Sequence, residues 1–589
     1  MPKHLDANSN RMKPKSSILG ISCFYHDAAA CLIQDGKIIA TAEEERFTRK
    51  KHDMGFPKQA IEFCLQEGGI NVEDLSYVGF YEKPVLKFER MMSQHFESWP
   101  FSFQTFNSSI PSWMKEKLKV ESIIRKQLKY NGEILYVPHH MSHAASAFFV
   151  SKFKKAAILT IDGVGEWSTT TLGIGDDNKI TLFKEIQFPH SLGLLYSTVT
   201  AYLGFSVNNS EYKVMGLSAF GKPTYYDKFM EIIKISDDGS YYLDMSYFDF
   251  HKKNRMPSKK FLKEFGPARK PDEKMTEYYM DIAASLQKVL EDAMFKILNY
   301  LYAETKTKNL CMAGGVALNS VANGKISKNT PFKNIFVQPA AGDSGGSLGI
   351  AAYINSLVNK NRPLFTTAYL GPQFNAVYVR NFLDKNNIVY TELEENIISK
   401  SCAKLIYQNK IVGWFQGRME WGPRALGNRS ILANAVNPNM RDILNTKVKH
   451  REHFRPFAPV ILKEHTKRYF DIDKDEEKYM LFVYPIKQSM RQKLPSVTHV
   501  DGTGRLQTVS REQNKRYYDV IKEFMKLSGI PVVINTSFNI RGEPIVCKPE
   551  DAYRCMMGTE IDCTFIDKFL IFRKDNMKDS WDGESAAKD

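Results

Sequence analysis

The chain has 589 residues, 43% hydrophobic and 25% charged, with a formal net charge of +15 at pH 7. That length is too great for one hydrophobic core, so two or more domains are expected, and the composition is ordinary for a globular protein. No apolar run approaches the roughly 18 residues of a membrane span, and Ile18-Leu19-Gly20-Ile21 is too short for a signal sequence, so the expectation is a cytoplasmic protein without a membrane segment.

In chain order, residues 1–16 read as a disordered basic leader. Ile18 to Phe24 is a strand, Tyr25-His26-Asp27 interrupts it, and Ala28 to Ile33 resumes. Asp35-Gly36 predicts a two-residue hairpin turn into a third strand, Lys37 to Ala42. Residues 85–118 are aromatic and methionine-rich and carry no motif. From His139 the segment runs without glycine or proline and reads as helix. His139 and His143, four apart, therefore face one spot. His140 stands where a zincin helix needs glutamate as base, which excludes that reading.

Ala156 to Ile161 leads to Asp162-Gly163-Val164-Gly165-Glu166, then Ser168 to Ile174, a turn at Gly175-Asp176-Asp177-Asn178, and Lys179 to Phe183. This repeats the design of the N-terminus and predicts an internally duplicated α/β domain. Two later strands end in glycine turns, at Gly314-Gly315-Val316-Ala317-Leu318-Asn319 and at Gly342-Asp343-Ser344, where backbone amides can approach phosphate. Two strand-end aspartates, Asp162 and Asp343, together with the two histidines, make a mixed nitrogen and oxygen donor set that suits iron, manganese or zinc.

Two motif matches fail on inspection. Gly342 to Gly346 fits a serine-protease signature, but paired cysteines and a histidine in its own setting are missing. Gly216 to Lys222 has P-loop spacing, but Pro223 replaces the magnesium-binding hydroxyl.

Periodicity lapses between Asn361 and Pro372, which predicts a junction: 17–362 as the duplicated domain and 363–573 as a second α/β domain, followed by a disordered tail over 574–589. The second domain has apolar strands at Ile411 to Phe415, Val460 to Leu462 and Val532 to Ile534. Its arginines sit at turns, in Gly417 to Ser430, Lys449 to Phe457 and at Arg505. Planar guanidinium forks beside glycine and proline turns point to a phosphate pocket. Elsewhere the positive charge is scattered, with no zinc-finger, RNP or basic-heptad pattern, which disfavours nucleic acid and fits polyanionic small substrates. Eight cysteines, none in a C-x-x-C pair, read as reduced and buried thiols.

The first turn Gly20 to Ala30, the run Glu43-Glu44-Glu45-Arg46-Phe47, Lys51-His52-Asp53, the His139/His143 helix, Asp162 to Glu166 and Trp421-Gly422-Pro423-Arg424-Ala425-Leu426-Gly427 resemble the O-carbamoyltransferases. These are the nodulation-factor and antibiotic-tailoring carbamoyltransferases, and the likeness spans roughly residues 17 to 573. It implies a duplicated ASKHA-type domain, of the actin, sugar-kinase and Hsp70 ATPase superfold, fused to a YrdC-like domain. It also implies cleavage of carbamoyl phosphate, adenylation of the carbamate by ATP, and transfer of the carbamoyl group to a hydroxyl of a small-molecule or glycan acceptor in natural-product biosynthesis.

By the same resemblance, Arg424, Lys449, Arg455, Arg505, Asn535 and Ser537 hold carbamoyl phosphate. Gly165, Gly315 and Asn319 serve the nucleotide or carbamoyl adenylate, and Lys51 stands near the acyl adenylate. His139, His143, Asp162 and Asp343 form an iron site, the nucleotide enters with magnesium, and His26 stands beside the acceptor hydroxyl. Residues 85–118 are then candidates for shaping the acceptor pocket. A tRNA threonylcarbamoyl-type enzyme and a non-catalytic nucleotide-binding scaffold stay open as alternatives. So do the acceptor's identity, the native metal, and whether the protein is a monomer or a homodimer.

Overall fold

Two five-stranded sheets repeat one plan. In the computed structural model, which describes residues 14–253 and 255–576, the first sheet joins β1 (Ser17–Ser22), β2 (Ala29–Gln34) and β3 (Lys37–Glu43) as antiparallel neighbours. β4 (Tyr77–Phe80) and β5 (Glu133–Tyr136) add in parallel beside β1, giving the order β3-β2-β1-β4-β5. The second sheet does the same with β6 (Lys155–Ile161), β7 (Ser168–Asp176), β8 (Lys179–Gln187), β9 (Asn309–Ala313) and β10 (Asn334–Val337), in the order β10-β9-β6-β7-β8. This is the duplicated ASKHA-type arrangement expected from the sequence. The predicted leader and tail fall almost wholly outside the described residues.

Local chemistry sets the hairpins. Asp35 and Gly36 have φ of 47° and 77°, the paired left-handed conformation that Asp-Gly favours and that matches strand twist. The β7 to β8 turn is tighter than the sequence implies, because β7 continues to Asp176 and leaves only Asp177-Asn178.

The unassigned stretch after residue 84 forms α1 (Pro84–Glu97) and α2 (Phe103–Lys115) in the crossover between β4 and β5. α3 (His139–Phe148) follows β5, α4 (Glu277–Thr305) precedes β9, and α5 (Ser344–Asn359) follows β10. α3 packs on β6, β7 and β9, whereas α5 packs on β1, β2 and β4, so each crosses to the other half's sheet. Glycines permit this. A Cβ on Gly20 would lie 1.9 Å from the Ser347 carbonyl oxygen, and one on Gly349 would lie 1.9 Å from the Ser142 carbonyl oxygen of α3. Gly349→Ala is therefore expected to force α5 away from α3 at a cost of about 1–3 kcal/mol, read as a lowered melting temperature. An unchanged melt would contradict this packing.

Beyond α5 the chain lacks helix and strand up to residue 375. Arg362 donates to the carbonyls of Phe148 and Ser151, both at 2.6 Å, while Tyr369 bridges to Glu420. An eight-stranded mixed sheet follows. It comprises β11 (Thr391–Glu392), β12 (Val412–Phe415), β13 (Arg429–Asn434), β14 (Ala458–Leu462), β15 (Gln507–Val509), β16 (Val532–Ser537), β17 (Cys563–Ile566) and β18 (Phe569–Phe572), in the order β11-β18-β17-β12-β13-β16-β14-β15. Alternation on β12 sends Val412 and Trp414 to the cluster holding Cys402 and Tyr517, and Phe415 to the one holding Ala552 and Met556.

Two sequence motifs meet at the seam. The Glu43 carboxylate accepts from Gly422 N at 3.0 Å, and the Arg46 guanidinium donates to Gly422 O at 3.0 Å. Arg49 donates to the carbonyls of Ile545 and Pro544, both at 2.7 Å. Gly422 has φ 100°, a conformation that suits glycine. All eight cysteines are free and buried. No helix among the described residues is long and apolar enough to cross a membrane.

Candidate functional site

Helical spacing brings His139 and His143 together at the start of α3, with their Nε2 atoms 3.0 Å apart. Asp162, just past β6, places Oδ2 at 3.1 Å from His139 Nε2 and 3.6 Å from His143 Nε2. Asp343, at the N-terminus of α5, places Oδ1 at 3.7 and 3.9 Å from the same atoms. One donor atom from each of the four residues fits within 4.8 Å of all the others. The surroundings fit a cation. Both Asp343 oxygens are buried without a hydrogen-bond partner among the described residues, a costly state for a carboxylate unless positive charge faces it.

Protonation agrees with ligation. Burial, and then the neighbouring His143, push the His139 pKa well below that of an ordinary histidine, which leaves the neutral imidazole that binds metal. Burial would raise the Asp162 pKa, but hydrogen bonds from His139 and His143 outweigh it and hold the carboxylate ionised. Burial raises Asp343 to about 6, against the lowering effect of His26. The helix itself is held from outside, since the Glu166 carboxylate accepts from the backbone N–H groups of His139 at 3.0 Å and Lys83 at 2.8 Å. Anionic charge at a helix N-terminus is favourable.

Asp162 also reaches the glycine turn, where its Oδ1 accepts from Gly315 N at 2.9 Å. Asn319 lines the same cavity, but its amide is engaged with Gln287 at 2.9 and 3.1 Å and caps the next helix through Ala322 N. Gly165 lies against the histidine helix. It does not line the cavity, and a Cβ there would lie 3.0–3.2 Å from His140 and His139. Its lack of a side chain allows the close approach of α3, a packing role that spacing alone does not reveal.

His26 sits on the turn between β1 and β2, with Nδ1 2.9 Å from Asp27 Oδ2 and Nε2 3.8 Å from Asp343 Oδ2. Burial would lower its pKa, but Asp343 and the Asp27 hydrogen bond outweigh that and raise it well above 6.5. Asp27 also bonds His52 Nδ1 at 2.6 Å, and His52 Nε2 meets Asn209 Oδ1 at 2.9 Å. Asp27, Glu45 and His52 also cluster tightly, but His52 uses both ring nitrogens in this network. Asp27 and His52 both have positive φ, at 53° and 55°, and such strain collects at functional sites. Neither residue stood out singly in the sequence; their place inside quoted motifs was the only signal.

One cavity of about 470 Å³ joins these groups to residues carried by the eight-stranded sheet and its loops. Its wall carries His26, Lys51, Asp162 and Gly315 on one side and Arg424, Lys449, Arg455, Arg505, Asn535 and Ser537 on the other. Arg451, missed individually by the sequence reading, lines it too. The Arg424 and Arg505 Nε atoms are buried without hydrogen-bond partners among the described residues. Burial, and then repulsion from Arg424, Arg451 and Arg455, push the Arg505 pKa well below normal, while burial lowers Arg424 to about 10. Lys449 Nζ is held by Asn539 Oδ1 at 2.9 Å, and Ser537 Oγ donates to the same oxygen at 2.7 Å. Cations packed this closely are a chemistry suited to a small polyanion.

Residues 17–352 match the family described as "Carbamoyltransferase N-terminus" and residues 403–573 the one described as "Carbamoyltransferase C-terminus". An uncharacterized protein of Synechocystis sp. is 43% identical over 94% of this chain and 96% of its own. The nodulation protein NolNO of Sinorhizobium fredii is 35% identical over 95% of this chain and 80% of its own. The nodulation protein NolO of Bradyrhizobium diazoefficiens is 35% identical over 76% and 81%. Among solved structures, HypF of T. kodakarensis shares 12% identity and a TM-score of 0.29 over 59% of this chain and 48% of that one, too loose a match to inform the site. With both halves matched in order, this chain belongs to the carbamoyltransferase family.

Proposed function

We propose that the protein is an ATP- and metal-dependent O-carbamoyltransferase acting in the cytoplasm, with two working units that divide near residue 362. The observation that carries this reading is the single cavity shared by the arginine cluster and the His26 turn. Arg424, Lys449, Arg455, Arg505, Asn535 and Ser537 hold carbamoyl phosphate. Water attacks its phosphorus, the P–O bond to the carbamoyl group breaks, and inorganic phosphate and carbamate result. A carbamate oxygen then attacks the α-phosphorus of ATP. One P–O bond forms, pyrophosphate leaves, and carbamoyl adenylate results. Gly315 offers backbone to the nucleotide, Asn319 braces that turn, and Lys51 faces the adenylate. A magnesium ion accompanies ATP. The acceptor hydroxyl then attacks the carbamoyl carbon, AMP leaves, and the hydroxyl proton passes to His26.

His139, His143, Asp162 and Asp343 would hold a divalent ion, with Fe²⁺ our assignment. Such an ion supplies electrostatic anchorage for phosphate or acceptor oxygen when bound. As a base His26 has to be neutral. Asp343 is the strongest influence keeping it protonated, so counter-charge on Asp343 returns His26 toward its ordinary range. The reading predicts carbamoyl-phosphate-dependent formation of AMP and pyrophosphate from ATP. Production of ADP alone, or indifference to carbamoyl phosphate, refutes it.

His26→Asn separates the half-reactions. AMP formation should persist while transfer to an alcohol falls by about 10²-fold or more, the typical share of general-base help. Loss of adenylation with transfer spared would put the histidine in the wrong step.

A further inference from the structure

The hairpin of α1 and α2 carries a surface that the proposed chemistry does not use. Residues 98–114 hold no charged side chain in a chain that is 25% charged. At the tip, Phe96 is 70% exposed, Trp99 59%, Phe101 63% and Phe103 52%. They are not loose. His95 stacks on Phe106 with ring centroids 3.8 Å apart and bonds the Ser102 hydroxyl at 2.8 Å, while Trp99 meets Phe103 edge-on at 5.7 Å. Four large apolar side chains held outward together are uncommon on a protein surface that meets only water.

The neighbouring loop adds charge. Gln94 donates to the His251 carbonyl at 2.8 Å, which ties Lys252 and Lys253 to the tip, and Lys253 Nζ lies 5.8 Å from the Phe101 ring. Aromatic rings rimmed by lysines match the boundary of an anionic bilayer, where rings enter the headgroup layer and ammonium groups meet lipid phosphate. A second copy fits less well, because two-fold contact through the tip would bring both lysine pairs together with a single acid per copy, Glu97, to meet them.

We propose that the α1–α2 tip is a peripheral docking surface for anionic lipid membranes. The base of the hairpin lies at the catalytic end of the cavity, since Lys87 Nζ stands 4.2 Å from the Tyr25 ring centroid and Tyr25 lies 4.8 Å from His26. α1 spans about 21 Å, so docking keeps that end within about 20 Å of the bilayer, in reach of compounds displayed there. Only this last consequence rests on the proposed function.

The test is co-sedimentation of the full chain with phosphatidylcholine vesicles, with and without about one-third phosphatidylglycerol. Anionic vesicles should bind the protein and neutral ones bind it more weakly. A variant carrying Trp99→Ser, Phe101→Ser and Phe103→Ser should partition at least about tenfold less, with carbamoyl-phosphate-dependent AMP formation unchanged. Equal binding by the variant would mean generic adsorption of a basic chain and overturn the proposal. Failure of the native chain to bind overturns it too, as does self-association abolished by the same substitutions without vesicle binding.

Discussion

Arg455→Ala should raise the KM for carbamoyl phosphate by about 10²-fold or more in the AMP-forming assay. The residue lines the cavity and stacks over Tyr212 at 4.7 Å, and its nearest acid, Glu452, is 3.9 Å away and shared with Lys213. Removing it deletes charge-assisted hydrogen bonds to phosphate while leaving the rest of the receptor standing. The ligand-free protein should melt no lower, because Arg455 adds to the repulsion already weighing on Arg505 and Lys449. An unchanged KM would sink the assignment of this cluster to carbamoyl phosphate. A large loss of stability would mean that the arginine is structural.

His143→Ala should remove both the metal and the transfer activity. Element analysis of native protein prepared without chelator should find about one divalent ion per chain, and the variant close to none. A ligand that binds only the folded state stabilises it by RT ln(1 + [L]/Kd), about 4 kcal/mol at a thousandfold excess over Kd. Chelator should accordingly lower the native melting temperature and leave the variant's unchanged. This readout does not depend on turnover. Retention of the ion by the variant, or a native melt indifferent to chelator, would falsify the tetrad.

Much of the architecture is legible locally. Asp35-Gly36 dictates its turn because both residues adopt left-handed backbone readily, and strand alternation with glycine punctuation marks the duplicated units. Helical spacing alone puts His139 and His143 on one face. Arginine beside glycine and proline marks the anion pocket in outline.

What pairs with what was decided by tertiary structure. Asp162 and Asp343 reach the histidines only because α3 and α5 exchange sheets through Gly20 and Gly349, contacts that leave no periodic trace in the sequence. The run Glu43 to Arg46 and the loop at Gly422 are separate motifs in the chain and one set of hydrogen bonds in space. Gly165 carries a motif position yet serves helix packing, while Asp27, which draws no attention beside His26, joins two histidines. Backbone preference and side-chain period act over a few residues, so the sequence encodes the elements and their donor groups. Desolvated charge needs its partner wherever the chain brings it, and that demand is met only in the folded molecule.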